Sequence, residues 1–435
     1  MEPMVFIFVS LTVCLFYSLA LGSHLSQAPI NGRKAEDTWR REAIQKLWDE
    51  RKDMSYTPIT HLAIPGMPDV DIIFKNESAS RTGNLKHRFS WALFMWALIE
   101  GYIGKNTTIY EASSGNTASS EAYMARLIGV PFVAVVPNTT EDKKLERVVQ
   151  YDGRFIKTEI GKNFDRAQLE AQVNNGFYMN QFSNADKAEE FHQSNGNSKE
   201  STNVFHEILC QLNDEKIGPP HFFVHSAGTG GTISSVGRYV KKYLIPTEVV
   251  LADSEFSIYY DYVVNQRFKR EGGEPYWVSP GMAGTGFGYS GPAMHGKTTS
   301  LQPSVIDLAF KVPDLASTAA MHFLKKIGIS GGTSTGLNFI TALSLAAQRR
   351  TNSSNNDKLR IVVLLADNST PYEDTYFNFS WISEKFHSHG GIPLLKCWER
   401  AIEHSYKHGG DPLKRGSLKC KRSFSDRYRR RHVPL

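Results

Sequence analysis

The chain of 435 residues is poor in cysteine, with only Cys14, Cys210, Cys397 and Cys420. No Cys-x-x-Cys or Cys/His spacing of a zinc site occurs, so no metal site is expected. Four cysteines so far apart are not the framework of a disulfide-built fold. A Cys397–Cys420 bridge remains open near the C-terminus. Strong charge of one sign is also missing. The formal net charge is +6, and much of the excess lies between residues 414 and 431. The body is near neutral, which excludes a basic nucleic-acid groove. There is no internal repeat, and the glycine loop 228–232 is neither a G-x-G-x-x-G, because Ile233 stands where the third glycine would be, nor followed by the Gly-Lys-Ser/Thr of a P-loop, which points that loop away from dinucleotides and ATP.

A hydrophobic content of 41% and a charged content of 22% describe a globular chain with a real core. Residues 4–21 form an uncharged, mostly apolar run at the lower edge of a membrane span. No basic residues precede it, and Ala20-Leu21-Gly22 offers small residues for a signal peptidase. Arg33, Lys34, Arg40 and Arg41 follow it, a bias that favours a cytosolic body. Asn-x-Ser/Thr sequons at Asn76, Asn106, Asn138, Asn352, Asn368 and Asn378 favour the secretory lumen instead. The expectation is a membrane-associated protein of the endomembrane system with one N-terminal span, the alternative being secretion after signal cleavage.

Beyond this run, residues 23–35 read as a linker and 35–53 as a helix. Short apolar runs at 61–64 and 70–74 read as strands. Helical stretches then alternate with apolar strands at 107–110, 130–136, 154–158, 222–225, 248–252 and 360–365. Such alternation predicts α/β architecture with parallel sheets covered on both faces. The expected division is a hydrophobic segment (1–22), a linker and leading helix (23–55), two open α/β domains (56–190 and 191–380) and a basic C-terminal extension (381–435). Its last residues, from 414 on, read as solvated, with membrane-surface contact as the sharper alternative. In open α/β sheets ligands sit at the carboxyl ends of the strands.

Five loops rich in Gly, Ser and Thr carry the candidate chemistry. Ser113-Ser114-Gly115-Asn116-Thr117 opens a predicted helix and presents donors suited to an anion. Gly228-Thr229-Gly230-Gly231-Thr232 lies between a strand and a helix, where the helix dipole favours a phosphate. Residues 328–336, 284–288 and 367–372 complete the set. Lys86, in Gly83-Asn84-Leu85-Lys86-His87-Arg88, stands at a further strand-to-helix junction. A lysine kept neutral there can form a Schiff base with a carbonyl.

These motifs resemble, in order and spacing, the cysteine synthase/cystathionine β-synthase family of fold type II pyridoxal-phosphate enzymes, over about residues 56–378. Thr57-Pro58-Ile59 resembles the family's Thr-Pro-Leu opening, and Phe74-Lys75-Asn76-Glu77 its Lys-x-Glu strand. Gly83–Arg88 resembles the lysine motif, and Ser114–Thr117 matches the loop that binds the substrate carboxylate. Gly228–Thr232 is identical to the phosphate loop. Asp367 and Tyr372 fit the last element.

The resemblance implies two open parallel-sheet domains, as in the tryptophan synthase β fold, with pyridoxal 5'-phosphate between them. It implies Lys86 as Schiff-base lysine and catalytic base. Asn116, Gly228, Thr229, Gly230, Gly231, Thr232 and Ser334 would bind the cofactor, with Ser334 facing the pyridine nitrogen. Ser113, Ser114, Gly115, Asn116 and Thr117 would bind the substrate. It further implies a homodimer and β-replacement on serine or an O-activated serine with a sulfur nucleophile. A serine/threonine dehydratase and a cofactor-binding sensor without catalysis are the alternatives; a nucleotide-binding protein is the third. His87, where the family has Asp, and Ser113, where it usually has Thr, are departures, as are Ala185-Asp186 and Asn368.

Overall fold

A computed structural model of the chain describes residues 30–140, 142–188, 201–268, 277–288, 292–350 and 358–420. The apolar run 4–21 lies outside them. No helix among the described residues is long and apolar enough to cross a membrane.

Among the described residues, ten strands form two sheets. The larger has the order β1 (Ile59–Ile64), β2 (Met67–Asn76), β10 (Leu359–Leu365), β7 (Phe222–Ser226), β8 (Glu248–Ser254) and β9 (Leu308–Val312). The smaller has the order β5 (Arg154–Thr158), β4 (Phe132–Pro137), β3 (Ile109–Glu111) and β6 (Phe177–Tyr178). Every pairing is parallel except β1 with β2, a hairpin.

The expected boundary near residue 190 is crossed by this hairpin. β2 pairs in register with β10, Ile72 opposite Ile361 and Phe74 opposite Val363, and so belongs with the later strands. The reason is in its side chains. Successive residues of a strand point to opposite faces. Ile72 and Phe74 enter one core of the large sheet and Ile73 enters the other, so β2 needs a layer on both sides. The small sheet has its own core around the helices Lys86–Ile99 and Asn116–Ile128. The chain therefore leaves the large sheet at Asn76, and the Lys86 loop is the passage between the two.

The C-terminal segment is more ordered than the extension expected from sequence. Helices Phe379–Lys385, Gly391–His408 and Pro412–Lys419 cover the large sheet. Leu394, Leu395, Trp398, Ala401 and Ile402 recur at helical spacing and join its core. Cys397 and Cys420 form a disulfide that ties the second of these helices to the end of the third. Residues 421–435 lie outside the described residues. At the other end, the leading helix runs Ile30–Asp53, so residues 30–34 of the expected linker are helical.

Candidate active site

Lys86 is the first residue of the helix Lys86–Ile99. Its backbone N–H donates to Asn84 Oδ1 at 2.8 Å, a side-chain cap of the kind that favours helix initiation. Asn84 also forms an isolated bridge with Asp367, and the Leu85 N–H donates to the Ala366 carbonyl at 2.7 Å. The lysine is thus pinned to the carboxyl end of β10 while its helix packs on the small sheet. Its ammonium nitrogen lies 4.8 Å from the centre of the Phe89 ring. Burial lowers the Lys86 pKa to about 8, against the pull of Glu121 and Glu111, which raise it.

Those two acids were not among the residues singled out from sequence. Glu111 ends β3, immediately before the Ser113–Thr117 loop, and that adjacency was the available signal. Its carboxylate accepts from the N–H groups of Ala112 (2.8 Å) and Gln181 (3.0 Å), yet burial raises its pKa to about 7. Glu121 is fully buried on the helix Asn116–Ile128, with no hydrogen-bond partner for either carboxylate oxygen. Burial, then the charge of Glu111, push its pKa well up. His225, at the carboxyl end of β7, is held neutral by burial and by the nearby Lys86 charge, which lower its pKa to about 3.

The glycine loop Gly228–Thr232 runs from β7 into the helix Gly231–Lys242. Gly230 has φ +84°, a conformation glycine adopts without cost. A Cβ on Gly228 would lie 2.6 Å from the Gly284 carbonyl oxygen, so the 284–288 loop is packed on this one. A Cβ on Gly231 would lie 2.8 Å from the Ala185 Cβ and 3.9 Å from Phe89, the ring under the Lys86 amine. The loop is braced by Tyr259, whose hydroxyl donates to the Gly228 carbonyl at 2.7 Å, and by the Ser300 N–H, which donates to Thr229 at 2.8 Å. Tight glycine backbone at a helix N-terminus, next to a lysine, fits a phosphate with a carbonyl attached.

The Ser113–Thr117 loop lies between β3 and the helix Asn116–Ile128. Thr117 is buried and its hydroxyl donates to Gln181 Oε1 at 2.7 Å. Ser113, Ser114 and Asn116 are half-buried and Gly115 is exposed, with nothing near its would-be Cβ. Asn116 Nδ2 donates to Asp367 Oδ2 at 2.7 Å, and the Tyr372 hydroxyl donates to the same oxygen at 2.7 Å. Burial raises the Asp367 pKa while these two donors oppose it. Gly332 is packed against this pair: a Cβ there would sit 2.1 Å from Asp367 Oδ1.

Ser334 is half-buried in the first turn of the helix Thr333–Arg349, flanked by two buried threonines. Thr333 donates to the Ala283 carbonyl at 2.6 Å. Thr335 has a buried hydroxyl oxygen without a partner. The first turn of this helix therefore carries hydroxyls on three successive residues, of which sequence pointed to Ser334. His87 turns away from Lys86, because adjacent helix positions diverge by about 100°. Its Nε2 lies 3.0 Å from Glu50 Oε1 on the leading helix, and Arg81 and Tyr123 also bond Glu50.

The comparisons agree with this assembly. The model of the pyridoxal-phosphate dependent enzyme family matches residues 51–367. A putative pyridoxal-phosphate dependent protein of Caenorhabditis elegans is 46% identical over 395 residues, 89% of this chain and 91% of that one. The L-cysteine desulfhydrase Cds1 of Mycobacterium tuberculosis is 33% identical over 367 residues, 81% of this chain and 91% of that one. The crystal structure of an O-ureido-L-serine synthase shares the fold, with a TM-score of 0.60 at 21% identity over 77% of this chain and 93% of that one. The lysine, the glycine loop and the Ser-Gly-Asn-Thr loop thus stand in a chain that belongs to the pyridoxal-phosphate-dependent enzymes, within the cysteine synthase/cystathionine β-synthase family of fold type II.

Proposed function

We propose that this enzyme makes or breaks the Cβ–sulfur bond of L-cysteine, through loss of the β-substituent from cysteine or from an O-substituted serine. The observation that carries the reading is the placement of Lys86, pinned to the carboxyl end of β10 with Phe89 between its amine and Gly231 of the glycine loop, where burial lowers its pKa to about 8. Bound pyridoxal phosphate supplies an electron sink for the pair left when the Cα proton is removed. Gly228–Thr232 and the helix dipole behind them hold the phosphate. Ser113, Ser114 and Gly115 would hold the amino acid's carboxylate, with the Thr117 hydroxyl committed to Gln181 and Asn116 fixed between that loop and Asp367. Lys86, as a free amine, takes the Cα proton and hands it to the departing group. Ser334 would offer the pyridine nitrogen a hydroxyl and no charge.

Sulfide leaving cysteine and sulfide entering to form it share these steps. The L-cysteine desulfhydrase relative, covered over 91% of its length, supports the first direction. A putative cysteine synthase of Sinorhizobium fredii, 25% identical, supports the second. The test incubates the loaded enzyme with L-cysteine alone, with O-acetylserine plus sulfide, and with L-serine alone. Sulfide and pyruvate in the first arm, or cysteine in the second, support the proposal. Pyruvate from serine alone would move the reading to a dehydratase, and no turnover in any arm would move it to a sensor.

A further inference from the structure

We propose that Asn106 and Asn138 carry N-linked glycans and that the folded body matures in an oxidising secretory lumen, where Cys397 and Cys420 are bridged. Three features converge on this, and none belongs to the active site.

The first is the bridge. Cys397 lies in the helix Gly391–His408, Cys420 follows the helix Pro412–Lys419, and their Cα atoms are 5.6 Å apart, within the range a disulfide needs. The helix pair sets that distance independently. Asp411 Oδ1 accepts from the N–H groups of Leu413 and Lys414 and starts the second helix. Gly416 then meets the Trp398 ring so closely that a Cβ would fall 1.8 Å from it. Cys420 is buried by this packing. Cys210, on the helix Val204–Asp214, is left as a free thiol. A structural disulfide of this kind persists in secretory compartments and is rare in the cytosol.

The second is the placement of the sequons. Asn106 is exposed in the turn ahead of β3, and Asn138 is exposed just past the end of β4. Each has a threonine two residues on, Thr108 and Thr140. The other described sequons do work in the fold. Asn76 sits in β2 opposite Leu365, and its side chain accepts from both the N–H and the hydroxyl of Ser78. Asn368 is half-buried beside Asp367 and accepts from the Thr370 N–H. Asn378 is exposed, but its oxygen caps the helix Phe379–Lys385. Among the described sequons, Asn106 and Asn138 are the exposed ones whose side chains cap no helix.

The third is the apolar run 4–21, uncharged and of the kind that directs a chain into the endomembrane system. The basic residues after it argue for a cytosolic body, and the bridge argues against one. A charge bias shifts an insertion preference, whereas a reducing cytosol keeps thiols reduced.

The experiment expresses the full chain in an animal cell and follows mobility with and without peptide N-glycosidase. Asn106→Gln and Asn138→Gln are each expected to remove one glycan step. Differential alkylation reports the bridge: Cys210 labels directly, and Cys397 and Cys420 label only after reduction. Mobility that neither the glycosidase nor either variant changes overturns the glycan assignment even if the bridge is present. Direct labelling of Cys397 and Cys420 in the native chain overturns the lumenal one.

Discussion

Lys86 is a basic residue made less basic by its surroundings. Burial penalises the ammonium, and Phe89 beneath it returns only part of the lost solvation. The amine is therefore increasingly free above about pH 8, well below the ordinary lysine range near 10.4. The expected outcome is that labelling of Lys86 by an amine reagent, followed by mass spectrometry on cofactor-free protein, rises through a midpoint near 8. A midpoint in the ordinary range would contradict it. Glu121 sharpens the test. An anionic Glu121 holds the Lys86 proton on, so Glu121→Gln moves the midpoint down. Lys86→Ala is expected to abolish turnover and the visible absorption of lysine-linked cofactor, while urea unfolding of the apoprotein changes little.

At the level of elements, the Cys397–Cys420 tie holds two helices that cover the large sheet. The closed loop spans a sequence separation of 23, for which chain-entropy reasoning gives about 3 kcal/mol. Cys420→Ser is expected to lower thermal stability of oxidised protein measurably, and adding reductant should bring wild type toward the variant. Equal melting of the two without reductant would show that helix packing alone suffices. The same segment shows where sequence reading stopped. Leu394, Leu395, Trp398, Ala401 and Ile402 have helical spacing, but the alternation of strands and helices ends before them, and without a strand to pair the segment read as an extension of the fold. The strands announced themselves as short apolar runs, and the glycine loops by composition, because both are local properties. The pairing of β2 with β10 joins residues nearly 300 positions apart, and no local signal carries it. Glu121 is hidden for the same reason: its nearness to Lys86 comes from the packing of two helices.

Across the whole molecule, one buried ionic network joins the lysine helix to the body around the large sheet. Arg88, two residues after Lys86, donates to both carboxylate oxygens of Glu77 and of Glu207, at 2.8–3.1 Å. Lys75, fully buried in β2, donates to Glu207 at 2.8 Å and to the Thr57 carbonyl at 2.6 Å. Two cations thus share Glu207. Despite the cost of burial, Arg88 and then Lys75 hold its pKa down to about 2. A carboxylate depressed on folding contributes stability that is complete above its unfolded pKa, near 4.3, and is lost as pH falls through the folded one. This contribution therefore fades between about pH 4 and pH 2. Glu207→Gln removes the shared anion at every pH and leaves Lys75 and Arg88 buried with too little counter-charge. Breaking a buried pair in this way costs about 3–5 kcal/mol. Chemical denaturation at pH 7 is expected to show that loss in the variant, and the gap to wild type should close as pH is lowered toward 2. A constant gap would mean that shape, and not charge, is what Glu207 supplies. Because Arg88 rides on the helix that begins at Lys86, the same variant should also shift the Lys86 labelling midpoint, which a purely remote packing defect would leave in place.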